Sequence, residues 1–175
     1  MTQIPGLTIR RGTIEDAVLL SKLGARTFSE TFAADNTPEN LTAYIAASFN
    51  VAQQTAELKD PASTFLIAEV DGRAAGYARL RDSEPEQGVE GPKPVELVRL
   101  YVAREWLGRG LGAELMRVCL DEARRSGYET IWLGVWEGNP RAQEFYRKWN
   151  FRVVGEHIFK LGSDLQRDLL LERGL

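Results

Sequence analysis

The sequence predicts an α/β fold with a mixed, largely antiparallel sheet of about seven strands and helices on both faces. Three observations support this class. Short alternating segments and amphipathic segments share the first half of the chain, and from residue 95 strand-like and helix-like segments alternate. Two further strand-like segments end the sequence. Because the 175 residues contain no internal repeat and no linker-like tract, we expect a single domain over residues 1–175.

The first half of the chain contains two helix signals and three strand signals. "LTIRRGT" alternates like a short strand, and Thr13 can cap a helix over about 14–32. In "NTPENLTAYIAASF", Thr37 can cap a second helix and Pro38 suits its first position. "STFLIAEVDGRAAGYARLRD" indicates two strands joined by a tight turn at 71–72.

The second half alternates between strands and helices before the final pair of strands. "VELVRLYVA" and the almost continuously apolar "ETIWLGVW" predict strands, each followed by a helix, in "AELMRVCLDEARRSG" and "NPRAQEFYRKWN". Asn139 can cap the latter helix, with Pro140 at its first position. "FRVVGEHIFKLG" and "LQRDLLLERG" predict the last two strands. The expected order is β, α, α, β, β, β, α, β, α, β, β.

Composition excludes several classes of function. The net charge of -3 does not suit a nucleic-acid-binding surface, which needs a basic face. One cysteine, Cys119, and one histidine, His157, cannot form an internal disulfide or a zinc site with ordinary ligand spacing. The sequence has no apolar run long enough for a signal peptide or a membrane span. We therefore expect a cytoplasmic protein without a metal.

Three glycines at alternate positions, Gly108, Gly110 and Gly112, lie between a predicted strand and a predicted helix in "LGRGLGAELM". A helix N-terminus offers unpaired N–H groups and a positive dipole end, so this turn suits a phosphate group. The spacing differs from the dinucleotide fingerprint, and no Lys-Ser or Lys-Thr pair follows as in a P-loop. The alternative is a tight turn that uses glycine only for its positive φ.

The segments "LYVAREWLGRGLGAELM" and "NPRAQEFYRKWNF", with a buried strand between them, resemble the acetyl-CoA-binding core of the GCN5-related N-acetyltransferases (GNAT). "TFSETFAADNTPENLTAYIAASFN" and "IWLGVWEGN" are similar to the bacterial spermidine/spermine N-acetyltransferase branch. The resemblance implies the GNAT fold, acetyl-CoA as acetyl donor and a primary amine as acceptor. One position departs from the family pattern, because Leu107 stands where the pattern has Arg or Gln.

The resemblance also implies which residues bind the cofactor. Backbone N–H groups of the glycine turn are expected to bind the pyrophosphate, and Arg109 can supply the charge that Leu107 lacks. The preceding strand and Asn139 are expected to contact the pantetheine arm. The full set is Leu100, Tyr101, Val102, Leu107, Gly108, Arg109, Gly110, Leu111, Gly112, Ala113, Asn139 and Tyr146.

Acetyl transfer from a thioester to an amine needs a proton acceptor for the ammonium group and a proton for the leaving thiolate. Tyr146 matches the family position of a tyrosine that faces the thioester sulfur, and its alternative is a core aromatic. Glu96, before the alternating "LVRLYV", is the predicted base, directly or through a water. Its alternative is a strand-end carboxylate that pairs with Arg99.

The predicted acceptor is a polyamine such as spermidine or spermine. Glu30, Asp35 and Glu39 are its predicted substrate-binding residues, because a polycation needs carboxylates spaced along its length. Other acceptors are an amino acid, an aminoglycoside or a protein N-terminus, and a different class is a non-catalytic acyl-CoA-binding sensor or interaction module. His157 is expected to be structural or at the rim of the site. The resemblance also implies a homodimer, because terminal strands such as "LQRDLLLERGL" often pair between subunits in this family.

Overall fold

A computed structural model describes residues 3–175 and contains seven strands and five α-helices. The strands are β1 (Leu7–Arg11), β2 (Ser63–Val70), β3 (Arg73–Arg81), β4 (Pro94–Val102), β5 (Thr130–Trp136), β6 (Arg152–Leu161) and β7 (Asp164–Gly174). The helices are α1 (Ala17–Phe32), α2 (Pro38–Ser48), α3 (Val51–Lys59), α4 (Leu111–Arg125) and α5 (Pro140–Lys148). Among residues 3–175, no helix is long and apolar enough to cross a membrane.

All seven strands form one sheet in the order β1-β2-β3-β4-β5-β7-β6. Neighbouring strands are antiparallel except β4 and β5, which are parallel. The predicted mixed and largely antiparallel sheet is therefore confirmed. The predicted turn between β2 and β3 is also present, with positive φ at both Asp71 and Gly72.

The helices cover the two faces of the sheet, and each face has its own core. Helices α4 and α5 pack on one face, where Leu115, Met116 and Cys119 of α4 are fully buried against strand residues such as Ile131. Helices α1 and α2 contribute to the core on the opposite face, together with Phe49 at the end of α2. These two surfaces are called the α4–α5 face and the α1–α3 face below.

Helix α3 is missing from the predicted order, which is wrong in this respect. The helix begins after Asn50, whose side-chain oxygen accepts a hydrogen bond from the backbone N–H of Gln53 at 2.8 Å. Its buried positions are occupied by Gln54 and Glu57, which are polar. The apolar spacing that reveals the other helices is therefore absent from this segment.

A buried ionic cluster attaches α3 to the sheet. Glu57 forms a bidentate ion pair with Arg99 of β4, at 2.6 and 3.0 Å, and a third contact with Arg79 of β3 at 3.1 Å. Burial alone would raise the pKa of Glu57, but the hydrogen bonds and charge of Arg99 and the charge of Arg79 lower it below its usual value. The cluster holds α3 against the central strands.

The two parallel strands separate soon after they meet. β4 and β5 pair only at Pro94–Thr130, Val95–Ile131 and Glu96–Trp132. Beyond this point β4 continues beside β3 as far as Val102, and β5 continues beside β7 as far as Trp136. The register of β4 against β3 shifts by one residue at Val98, which marks a β-bulge beside the opening. The result is an open cleft in the middle of the sheet.

Candidate active site

The inner edge of β4 forms one wall of this cleft. Leu100 and Val102 lie on the α4–α5 face, and Tyr101 lies between them on the α1–α3 face. These are the strand residues that the sequence analysis assigned to the cofactor. Because neither β4 nor β5 has its parallel partner here, the cleft can accept an extended polar chain that bonds to free backbone groups.

The glycine turn follows β4 at the open end of the cleft and leads directly into α4. Gly108 and Gly110 have φ of 75° and 89°, and a Cβ atom on either residue would have no neighbour within 4 Å. Gly110 is the N-cap of α4 and supplies no side-chain cap, so the first-turn N–H groups keep their hydrogen-bonding capacity. The turn therefore fits a pyrophosphate group, with open space, backbone donors and the positive end of the helix dipole.

The side chains beside the glycines add little to this site. Leu107, at the position where the family has Arg or Gln, is 42% exposed. The guanidinium of Arg109 lies 5.6 Å from the centre of the Trp106 ring, so a positive charge is held next to the turn. Gly112 has no positive φ, and a Cβ atom there would meet the Phe145 ring at 3.6 Å. This is an ordinary van der Waals distance, so the space beside Gly112 would also admit an alanine.

Helix α5 begins and packs as predicted. The Asn139 side-chain oxygen accepts a hydrogen bond from the Ala142 N–H at 3.1 Å, which confirms the predicted cap. The Tyr146 ring contacts Phe145 and Phe151, with centroid distances of 5.4 and 5.6 Å. Burial raises the pKa of the Tyr146 hydroxyl, and the nearby Cys119 raises it further. The hydroxyl therefore stays protonated at neutral pH, as a proton donor must.

Glu96 lies at the closed end of the cleft, opposite Trp132. Its Oε2 accepts hydrogen bonds from two nitrogens of Arg81, at 2.7 and 3.2 Å, and from the Ser83 hydroxyl at 2.9 Å. The pairing of Glu96 with Arg99 that the sequence allowed is not formed, because Arg99 pairs with Glu57. Glu96 is therefore near the cleft, but its carboxylate already has an ionic partner.

The three predicted substrate carboxylates do not form one cluster. Glu30 accepts a hydrogen bond from Arg26 at 2.9 Å and another from the Arg104 backbone N–H at 2.9 Å. Asp35 and Glu39 are exposed, before and within the first turn of α2. Phe32, at the end of α1, contacts the Trp136 ring with a centroid distance of 6.1 Å, so this region borders the end of β5.

A second group of polar side chains lies on the α1–α3 face of β5, β6 and β7. Gly134 of β5 is exposed although its neighbours Leu133 and Val135 are buried. A Cβ atom at Gly134 would lie 3.2 Å from Asp168 Oδ2 and 3.4 Å from His157 Cε1. We call this depression the Gly134 pit. His157 Nε2 and Asp168 Oδ2 are 3.7 Å apart, and Asp168 is only 9% exposed.

Asp168 and Gly134 are site residues that the sequence does not predict. In "LQRDLLLERG", Asp168 is one charged residue in an alternating strand, and nothing local marks it as buried. One feature of the sequence could have indicated it. Asp168 is two residues from Leu170, so both side chains point to the same buried face of the strand, where a carboxylate is unusual. Within residues 3–175, no group of three or more His, Cys, Asp or Glu side chains is arranged to hold a metal ion.

Comparison with known proteins agrees with this architecture. The Acetyltransferase (GNAT) family matches residues 26–151. An N-acetyltransferase encoded in the pepI 3′ region of Lactobacillus delbrueckii subsp. lactis, itself uncharacterised, is 31% identical over 175 residues, covering 100% of this chain and 99% of the relative. The chain therefore belongs to the GNAT family of acetyltransferases, and it is an N-acetyltransferase of this type.

Solved structures share the fold. The PaiA N-acetyltransferase from Thermoplasma acidophilum, in complex with coenzyme A, has a TM-score of 0.79 and 21% identity, with 97% of this chain and 99% of that chain covered. YncA from Salmonella typhimurium, with its cofactor acetyl-CoA, has a TM-score of 0.66 and 21% identity, with 97% and 94% covered. At this identity the likeness supports the fold, including the predicted GNAT fold class.

Proposed function

We propose that the protein transfers the acetyl group of acetyl-CoA to a primary amine. The observation that supports this most directly is the cleft between β4 and β5, which ends at a glycine turn with open backbone donors. Two structural neighbours bind coenzyme A or acetyl-CoA. Bound acetyl-CoA supplies an acetyl group activated as a thioester.

Different residues of the chain bind the cofactor, orient it and donate a proton. The N–H groups at 108–113 bind the pyrophosphate, and the free edge of β4 orients the pantetheine arm. The Tyr146 hydroxyl donates the proton that the departing thiolate needs. As the nitrogen–carbon bond forms and the carbon–sulfur bond breaks, the ammonium loses two protons. One of these protons replaces the proton that Tyr146 gave to the thiolate, and the other reaches solvent.

The proton acceptor predicted from the sequence is Glu96. Its position at the closed end of the cleft supports the role, and its ion pair with Arg81 opposes it. If Glu96 is the base, Glu96→Gln lowers the rate most at neutral pH and recovers partly at high pH, where more of the amine is already neutral. A loss that is equal at all pH values would indicate a structural role instead.

The acceptor we propose is a polyamine such as spermidine or spermine. The resemblance of 27–50 and 131–139 to the polyamine-acetylating branch supports it, as does the position of the α1–α2 region beside Trp136. Exposed Asp35 and Glu39 can contact the distal ammonium groups, with Glu30 as a third carboxylate. Each exposed ion pair contributes only about 0–1 kcal/mol, so several must act together.

The experiment is a thiol-release assay with acetyl-CoA and a panel of amines at low and high salt. We expect spermidine and spermine to be acetylated, with KM for the amine rising as salt screens the carboxylates. Acetylation of an amino acid, an aminoglycoside or a peptide N-terminus alone would make the polyamine assignment wrong. Binding of acetyl-CoA without turnover of any amine would contradict the proposed reaction.

A homodimer remains a prediction, but the structure favours a different strand as its contact surface. β7 lies between β5 and β6 and has no free edge, whereas β6 is an edge strand of the sheet, as β1 is at the other side. Val153 and Ile158 of β6 are 61% and 64% exposed. We therefore propose that β6 is the dimer contact, and Ile158→Lys should yield a monomer in sedimentation analysis if the wild type is dimeric.

A further inference from the structure

We propose that the Gly134 pit binds the primary ammonium group of the acceptor and that Asp168 is the base that accepts its proton. This inference rests on the proposed acetyltransferase reaction and gives Asp168 the role that the sequence analysis gave to Glu96. His157 is a positioning residue that carries the proton onward.

The pit is in the right part of the sheet. Gly134 lies two residues beyond Trp132, where β5 has already separated from β4. It lies on the α1–α3 face, opposite the face where Tyr146 packs with the α4 core. An acceptor in the pit therefore approaches the cleft from the side opposite α4 and α5. Trp136, which pairs with Asp168 in register, borders the same opening.

Asp168 lacks the partner that a buried carboxylate requires. Its Oδ1 is buried and has no hydrogen-bond donor, and its Oδ2 faces the place that a side chain at position 134 would fill. Among residues 3–175, the basic side chain within 4 Å of this carboxylate is His157, whose Nε2 lies 3.7 Å from Oδ2. Burial raises the pKa of Asp168 to about 6, against the smaller, opposite influence of His157. A carboxylate that is poorly stabilised in the free protein is a stronger base than an ion-paired one.

Three elements besides β7 place titratable groups around Asp168. β6 supplies His157, the loop between β3 and β4 supplies Glu86, and α2 supplies Tyr44. The pKa of Tyr44 is raised mainly by burial and also by the charge of Asp168. His157 Nδ1 is buried without a partner and lies 3.9 Å from Oε1 of Glu86, whose side chain is 51% exposed. Asp168, His157 and Glu86 thus form a line from the pit to solvent.

An ammonium N–H bond breaks and an O–H bond forms on Asp168, leaving the nitrogen lone pair free to attack the acetyl carbon. Asp168 then loses this proton to solvent through His157 and Glu86. Because both separations exceed hydrogen-bond length, each step uses a water or a small side-chain movement.

The pit also limits the class of acceptor. A single Cβ atom at Gly134 would already approach Asp168 Oδ2 at 3.2 Å, so the space suits a slender group. An unbranched terminal –CH2–NH3⁺ fits this description. The α-amine of an amino acid is branched and carries a carboxylate that Asp168 would repel. The inference therefore favours primary aliphatic amines, including the ends of polyamines.

The test compares Asp168→Asn with Asp164→Asn, a matched control at the exposed start of the same strand. For an amine that the wild type acetylates, we expect Asp168→Asn to lower kcat/KM at pH 7 by about 10²–10⁴-fold. The loss should shrink about tenfold per pH unit toward the amine's pKa near ~10, because the neutral amine then needs no base. Asp164→Asn should behave like wild type, and coenzyme A affinity should be unchanged in both variants.

Two further variants sharpen the test. Gly134→Ala should raise KM for the amine with little effect on coenzyme A binding, because the added methyl narrows the pit. His157→Gln should lower kcat, and added imidazole should restore part of it. An Asp168→Asn enzyme within threefold of wild type at pH 7 would overturn the inference. So would a pH-dependent loss that appears in Glu96→Gln and not in Asp168→Asn.

A second measurement does not depend on turnover. Carboxyl ¹³C NMR of the coenzyme A-saturated protein should show Asp168 titrating near pH 6, and putrescine should lower this pKa because an ammonium stabilises the carboxylate. No effect of putrescine on Asp168 would overturn the inference even if the enzyme acetylates amines. Conversely, a lowered pKa without acetylation of any amine would support the pit and refute the proposed reaction.

Discussion

Gly110 must be glycine for two reasons, its backbone conformation and the open space beside it. Its φ of 89° is a left-handed conformation that other residues adopt at a cost of about 1–2 kcal/mol. The space where its side chain would project is empty, so a bound phosphate can reach the backbone of the turn. The residue therefore matters for folding through its φ and for the cofactor through the absence of a side chain.

We predict that Gly110→Val weakens coenzyme A binding at least tenfold. The control is Gly72→Val, because Gly72 in the β2–β3 turn also has a positive φ of 75° and open space around it, but lies in a hairpin turn outside the cleft. Both variants should lose stability in thermal melts. Only Gly110→Val should lose affinity in calorimetric titration with coenzyme A, and equal affinities in the two variants would place the pyrophosphate site elsewhere.

Tyr146→Phe tests the proposed proton donor. We predict a decrease of about 10²–10⁴-fold in kcat with unchanged coenzyme A affinity, because only the hydroxyl is removed. Tyr128→Phe is the matched control, since Tyr128 is a half-buried tyrosine just before β5 that makes no proposed contact with the reactants. Equal kcat values in both variants, under conditions where chemistry limits the rate, would make Tyr146 a core aromatic only.

At the scale of elements, α3 depends on charge where the other helices depend on apolar contacts. Glu57 neutralises one of two buried guanidiniums, and Arg79 and Arg99 also stack on Phe65 and Phe49. Replacing one member leaves its partners buried without compensation. The cluster thus fixes α3 to β3 and β4 near the α1–α3 side of the cleft.

We predict that Glu57→Gln lowers the free energy of unfolding by about 3–5 kcal/mol, the range for breaking a buried ion pair. Glu15→Gln, at an exposed residue before α1, should change it by less than about 0.5 kcal/mol. Urea denaturation of both variants measures the difference. A similar small effect in both would mean that water or rearrangement compensates the two arginines.

At the scale of the whole molecule, sequence patterns predicted the features that consecutive residues form by themselves. The Thr37 and Asn139 caps, the 71–72 turn and the glycine turn each depend on a few consecutive residues, and all four are present. The proposed cofactor site is mostly one segment, so the sequence could indicate it. The Gly134 pit joins residues from β5, β6, β7 and a loop, and only the sheet order brings them together.

The raised pKa of Asp168 predicts a pH dependence of stability. Asp168 titrates near 3.8 when unfolded and about 6 when folded, so the folded state holds more protons between these values. The resulting stabilisation, about 3 kcal/mol, is full below pH 3.8 and is lost as pH rises through about 6. Because asparagine mimics the protonated form, Asp168→Asn should melt several degrees above wild type at pH 8. At low pH the variant and the wild type should melt at the same temperature.

Melting curves of wild type, Asp168→Asn and Asp164→Asn between pH 4 and 8 measure this dependence. The Asp164→Asn curve should follow wild type, because Asp164 is exposed. If Asp168→Asn is less stable than wild type at pH 8, then its carboxylate has a stabilising partner in the folded protein and the sign of the pKa shift is wrong.

The separation of β4 and β5 divides the sheet into two half-sheets, β1–β4 and β5–β7–β6, which share only three register pairs. A pantetheine arm in the gap, as proposed, bonds to the free edge of β4 and takes the place of missing strand contacts. At 100 times its Kd it would add about 2.7 kcal/mol to the free energy of unfolding. Amide hydrogen exchange along 97–102 should accordingly slow when coenzyme A is added. The amount of folded enzyme would then depend on how much coenzyme A is available, which links the persistence of this protein to the supply of its own reactant.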